Sequence, residues 1–179
     1  MRYPFEGWID LRDIPLREDL WAGQQVTPEV CRMAIRSVGR PAEGIEEVRS
    51  DTPAVMKTAT LTTPAGEGAA NVRLYELTGA EAVRYQLRAM QPVPECREFT
   101  AGRGDRGSIV ERVLPEFGPA SRYNVRTYPR SGRPWTERIL LFQTPGFSGE
   151  VRVYGTDNTE QDFLAFARQV RTQALRKLG

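Results

Sequence analysis

Glu137-Arg138-Ile139-Leu140-Leu141-Phe142-Gln143-Thr144-Pro145-Gly146-Phe147-Ser148-Gly149-Glu150-Val151-Arg152-Val153-Tyr154 decides the fold class. Glu137 to Thr144 is a strongly apolar strand whose centre is Ile139 to Phe142. Gly149 to Tyr154 is a second strand, in which Val151 and Val153 alternate with Glu150 and Arg152. Pro145-Gly146 supplies the turn between them. A turn this short joins antiparallel neighbours, so the sheet is built from hairpins.

Upstream, Tyr123 to Tyr128 alternates Tyr, Val and Thr with Asn, Arg and Tyr, which predicts a strand. Ser108 to Phe117 reads as a strand with a tail. Pro53 to Thr63 and Asn71 to Leu77 read as a hairpin around the Gly/Ala loop 64–70. Helices punctuate this series. Thr27 is placed as an N-cap and Pro28 as the first helical residue. That helix runs to about Val38, with Val30, Cys31, Ala34 and Ile35 on one side, and Gly39 and Pro41 end it. Thr78 and Glu81 form a capping box for a helix over 79–90. Thr156 or Asp157 opens a last helix from about Thr159 to Leu178, with the stripe Phe163, Phe166, Ala167, Val170, Ala174 and Leu178. The expected fold is therefore α+β: a mostly antiparallel sheet of about five to six strands with helices packed on one face. Residues 1–25, which hold Trp8 and Trp21, are expected to be an irregular arm packed on a single domain formed by 26–179.

Composition narrows function by exclusion. The 179 residues are 40% hydrophobic and 27% charged, ordinary for one soluble globular domain. A net charge of +2 lacks the strongly basic balance of a nucleic-acid binder. The absence of His removes Ser-His-Asp and Cys-His catalysis and His-rich zinc sites. No catalytic motif, metal site or cofactor motif is read from the chain. No apolar run is long enough to span a membrane, and the start lacks a basic-then-apolar leader. If the protein is exported, its signal or anchor is expected outside this sequence. The two cysteines, Cys31 and Cys96, fit a disulfide or two buried thiols equally on spacing.

A resemblance bears on that choice. Thr27-Pro28-Glu29-Val30-Cys31 precedes a strand pair. Glu81-Ala82-Val83-Arg84-Tyr85-Gln86-Leu87 leads to Cys96-Arg97-Glu98-Phe99, and Leu114-Pro115-Glu116-Phe117-Gly118 precedes the later strands and the final helix. This arrangement, from about residue 10 to residue 178, resembles actinobacterial exported lipoproteins and the extracellular sensor domain of mycobacterial PknH-type kinases. The resemblance implies pairing of Cys31 with Cys96, an extracytoplasmic location, a cleft and no chemistry. There are two departures. The kinase sensor domains carry a second disulfide, which two cysteines cannot supply, and the lipoproteins often have Gly-Asp-Glu-Ser where this chain has Gly118-Pro119-Ala120-Ser121.

Arg122, Arg126, Arg130, Arg133 and Arg138 interleave with Tyr123, Tyr128 and Trp135. Arginine beside aromatics is the chemistry of anion, sugar and partner recognition. Arg122, Tyr123, Arg126, Tyr128 and Trp135 are the candidate ligand or partner residues. Arg122, Asn124 and Arg126 share one face of a strand, and Tyr123 and Val125 the other. The competing reading is an exposed face with arginines outward. Arg103-Gly104-Asp105 reads as a solvated loop, and Glu46, Glu47, Asp105, Glu111 and Glu116 as scattered surface charge. The expectation is a non-catalytic extracytoplasmic binding or sensor module of the cell envelope. Its partner would be an unidentified envelope ligand or protein, with no nucleic acid and no cofactor. The alternative is an interaction subunit of an envelope or secreted-toxin complex.

Overall fold

The computed structural model describes residues 6–9, 25–31, 55–62, 68–75, 94–130, 133–155 and 158–178. Its strands in chain order are β1 (Glu6–Ile9), β2 (Val26–Thr27), β3 (Val55–Thr62), β4 (Gly68–Tyr75), β5 (Phe99–Ala101), β6 (Asp105–Arg112), β7 (Arg122–Arg130), β8 (Arg133–Gln143) and β9 (Ser148–Gly155). They form one sheet in the order β1-β3-β4-β9-β8-β7-β6-β5-β2. All pairings are antiparallel. A helix, here α1 (Glu160–Leu178), follows.

The register explains the quoted stretch. Gln143 pairs with Ser148 across the Pro145-Gly146 turn, so Leu140 faces Val151 and Leu141 faces Glu150. Thr144 holds the turn: its Oγ1 donates to the Phe147 carbonyl at 2.9 Å and accepts from the Phe147 N–H at 3.1 Å. β8 is the fifth of the nine strands. Ile139, Leu140, Leu141 and Phe142 are all buried, each pair on opposite faces. A strand buried on both faces reads as a continuous apolar run rather than an alternation.

Helix α1 covers one face. Phe163, Phe166, Ala167 and Ala174 pack against Tyr123 of β7, Leu140 and Phe142 of β8, Val151 and Val153 of β9, and Ala70, Val72 and Leu74 of β4. Thr159 opens the helix with a side-chain exchange: Thr159 Oγ1 donates to Asp162 Oδ2 at 2.7 Å and accepts from the Asp162 N–H at 3.2 Å. The turn Pro115–Phe117 buries Phe117 in the same core. Ser121 clamps it, its Oγ accepting from Leu114 N–H at 3.0 Å and donating to the Leu114 carbonyl at 2.7 Å. The Leu114 to Gly118 stretch is thus a turn, and the strand expected over 108–117 stops at Arg112. Pro115 lacks an N–H for the ladder, and Gly118 takes φ +109°.

The expectation of five to six strands with several helices on one face is overturned. The sheet has nine strands, seven in the run β1-β3-β4-β9-β8-β7-β6 and two more in the short extension β5-β2. Among the described residues, one α-helix of full length, α1, packs on it. The extra strands escaped because β1, β2 and β5 have 4, 2 and 3 residues, too short to show an alternation. β1 arises within the stretch read as an irregular arm, and β2 includes Thr27, which had been assigned as a cap. Helical residues near Cys31 begin at Val30. The rest of the helix expected to Val38, and the one expected over 79–90, lie outside the described residues.

Cys31 and Cys96 are joined by a disulfide, with Cα atoms 5.3 Å apart and 65 positions of sequence between them. Both are fully buried, in a second cluster with Val26, Phe99, Ala101 and Tyr128, against which Ile109 and Trp135 pack. The bridge therefore joins the segment after β2 to the turn before β5, inside the cluster at that end of the sheet.

Candidate functional site

The face of the sheet opposite α1 is also buried, and it is built from charge. The β7–β8 register sets Arg126 opposite Glu137, and the β8–β9 register sets Ile139 opposite Arg152. Opposite charges on facing strands can meet at this spacing. Glu137 is 1% exposed, accepts from Arg152 and pairs ionically with Arg126. Arg152 Nε lies 2.9 Å and Arg152 Nη2 2.7 Å from Glu137 Oε1, and Arg126 Nη1 lies 3.7 Å from Glu137 Oε2. Arg126 Nε donates to Asn124 Oδ1 at 2.9 Å. Burying such a group costs several kcal/mol of desolvation per ion, which is recovered only when each charge keeps its partners. The cluster therefore specifies register: a one-residue slip of β7 would carry Arg126 to the apolar face.

Nearer the end of the sheet where β7 begins, the same face carries Arg122, Glu111, Gln143, Glu150 and Arg73. Arg122 Nε is 3.7 Å from Glu111 Oε1, and Arg73 Nη1 is 3.9 Å from Glu150 Oε1. Burial pushes the Glu111 carboxyl above the usual range, against the opposing pull of Arg122, a hydrogen bond from Asn124, and Arg126.

At the other end, Tyr128 faces Trp135 across β7 and β8. Both pack on the cluster around the disulfide, and Trp135 tilts against Tyr154 with ring centroids 5.9 Å apart. This face thus runs from a disulfide-tied aromatic end, through an ionic centre, to a polar end.

The fold resembles a known extracellular domain. That domain is the extracellular domain of PknH from Mycobacterium tuberculosis, with a TM-score of 0.54 at 12% identity over 87% of this chain and 77% of that one. At such identity the likeness is one of fold. No family model matches the chain, and no curated protein matches it in sequence. The PknH-like sheet separates the five residues singled out from the sequence. Arg122, Arg126, Tyr128 and Trp135 lie on the charged face, and Tyr123 lies on the helix face. There Tyr123 stacks on Phe163, with centroids 5.4 Å apart, and its hydroxyl accepts from Arg138 Nη1 at 3.0 Å and donates to Glu160 Oε2 at 3.4 Å. The Arg112 guanidinium lies 5.0 Å from its ring centroid and pairs with Glu160. Burial raises the Tyr123 hydroxyl above its ordinary value. Tyr123 thereby anchors the start of α1 to the sheet.

The reading of an exposed face with outward arginines is corrected at Arg126, which is 2% exposed; Arg133 is exposed, Arg122 is half-buried, and Arg138 is half-buried on the helix face. Arg103, Gly104 and Asp105 form the exposed β5–β6 turn, with Gly104 at φ +100°. The carboxylates Glu111 and Glu116 do not converge, since Glu116 pairs in a forked contact with Arg168 of α1. Glu46, Glu47, Trp21 and the side chain of Trp8 lie outside the described residues. Glu137, Glu150, Arg152 and Gln143 were missed as site residues. The signal available was the register: counting back from the turns puts Arg126 against Glu137 and Leu141 against Glu150.

Proposed function

We propose that this chain is a non-catalytic, extracytoplasmic binding or sensor module of a cell envelope, secreted or anchored there. The observation that carries it is a buried disulfide, Cys31–Cys96, in a fold similar to an extracellular domain. Disulfides persist in oxidising compartments and are rare in the cytosol. The charged face adds support. Its central carboxylate, Glu137, is matched to Arg126 and Arg152, and the chain has no His to move a proton near neutral pH. Actinobacterial lipoproteins and kinase sensor domains are the classes of exported protein that this reading favours.

The test is fractionation of cells that make the protein, with a membrane-impermeant maleimide added before and after reduction. The proposal expects protein outside the cytoplasm that takes no label until reduced. Cytosolic protein labelled at both cysteines would refute it. A second reading, an interaction subunit, draws on Val110 and Val113. These are exposed at 43% and 41% at the β6 end of the sheet. It expects co-purification with another chain, lost when both valines become Ser.

A further inference from the structure

The polar end of the charged face holds four side-chain atoms that are buried and have no hydrogen-bond partner: Arg122 Nε, Gln143 Nε2, Glu111 Oε2 and Glu150 Oε1. They are neighbours in the sheet. Arg122 and Glu150 both sit opposite Leu141, on either side of β8, and Gln143 is the next residue of β8 on that face. Glu111 is beside Arg122, at 3.7 Å. Adjacent strands are about 4.8 Å apart, so the group spans the width of a small saccharide. Orphaned buried donors and acceptors are uncommon in native proteins, and each calls for an occupant.

The set contains two donors, Arg122 Nε and Gln143 Nε2, and two acceptors, Glu111 Oε2 and Glu150 Oε1. That composition selects the occupant. A carboxylate or phosphate approaching Arg122 Nε would meet Glu111, and an ammonium approaching Glu111 would meet Arg122. A hydroxyl does neither: it donates to the carboxylate and accepts from the N–H. Arg122 Nε lies 3.7 Å from Glu111 Oε1, too far for a direct hydrogen bond, and Glu111 Oε2 is the carboxylate atom without a partner, so the N–H and the carboxylate stay side by side for a hydroxyl to engage. Gln143 Nε2 and Glu150 Oε1 offer the same pair of functions. The four atoms themselves are buried, but this end of the face borders solvent, since the Arg122 side chain keeps 21% and the Glu111 side chain 13% of its exposure.

We propose that Glu111, Arg122, Gln143 and Glu150 form a subsite for a neutral polyhydroxylated ligand, a saccharide, held by paired donor and acceptor contacts to its hydroxyls. This assignment rests on the binding-module reading and gives that reading a ligand class and a place.

The Gln143 side-chain amide reports on the site directly. Uniformly 15N-labelled protein would be titrated with maltose and with the N-acetylglucosamine disaccharide, and in parallel with sodium acetate, methylamine and glycine. The expected result is a saturable shift of the Gln143 side-chain signals with one of the disaccharides and none with the charged probes. Binding should weaken roughly ten- to hundred-fold in Glu111→Gln and in Arg122→Met, each of which removes a charged hydrogen-bonding partner. Saturation by acetate, methylamine or glycine would overturn the assignment in favour of a charged ligand. Long-lived bound water at Gln143 with no response to any probe would overturn it in favour of solvent as the occupant. A disaccharide that shifts signals elsewhere while Gln143 stays fixed would sink this subsite and leave the binding-module reading standing. Failure of that reading would appear separately, as reduced cysteines in a cytosolic protein.

Discussion

The two faces of this sheet are equally buried and are held in opposite ways. On the α1 side, Phe142, Leu140, Val151, Val153 and the helix residues Phe163 and Ala167 exclude water by apolar area alone. On the other side, Arg126, Glu137 and Arg152 are as deeply buried, and their stability depends on mutual pairing. Apolar burial is non-directional and tolerates exchange of shape at constant volume. An ionic cluster is directional and tolerates no loss of a member. One face supplies bulk stability, and the other fixes which strand lies beside which.

The sharpest way to break this comparison is an isosteric change on each face. Glu137→Gln keeps the shape and removes the charge between Arg126 and Arg152, so it is expected to cost about 3–5 kcal/mol in denaturant unfolding. A loss below about 1 kcal/mol would show that the cluster is solvated and the contrast false. Opening the disulfide by Cys96→Ser acts on the aromatic end, through the unfolded chain as well as the core. A loop of this length is expected to contribute about 4 kcal/mol, read as the loss of unfolding free energy with midpoint and slope both fitted, since the freed unfolded chain also alters the slope. On the helix face, Leu140→Met preserves volume and should cost less than about 1.5 kcal/mol, well under the Glu137 variant. Thr159→Ala, which removes the cap of α1, should cost about 1 kcal/mol without touching the charged face.

The smallest effect has the opposite sign. Glu111 is buried with its carboxyl raised above the ordinary range, so the folded chain takes up this proton before the unfolded chain does. Its contribution favours folding below the unfolded carboxylate range and is lost as pH rises through the raised folded value. Glu111→Gln should therefore stabilise the protein slightly at neutral pH, and the gain over the parent should shrink as pH falls into the carboxylate range. Paired melts at neutral and mildly acid pH measure that difference, and a gain that grows on acidification would contradict the burial of this carboxyl.

The central hairpins and the last helix were legible in the sequence because their signals are long. β8 and β9 carry a turn and two clean patterns, and α1 has a long apolar stripe, although its cap is Thr159 rather than the expected Thr156 or Asp157. β1, β2 and β5 were invisible because so few residues carry no period, and only pairing with β3 and β5 and β6 makes them strands. The Arg122 to Trp135 patch was visible as chemistry but misread as surface, since charge is normally solvated. The correcting signal was present in Ile139 and Leu141. Four consecutive apolar residues at the centre of β8, Ile139 to Phe142, mean that both faces are covered there, so an arginine at the centre of the neighbouring strand had to be buried with partners. Tyr123 shows the converse: its alternation with Arg122 and Asn124 already placed it on the other face, where it now holds α1 rather than a ligand.

The most direct test of the account is intact mass after alkylation under denaturing conditions, with and without prior reduction, on protein purified without reductant. The account predicts no added label before reduction and two labels after it, at Cys31 and Cys96. Two labels before reduction would contradict it, leaving the aromatic end of the sheet untied and the extracytoplasmic reading without its main support.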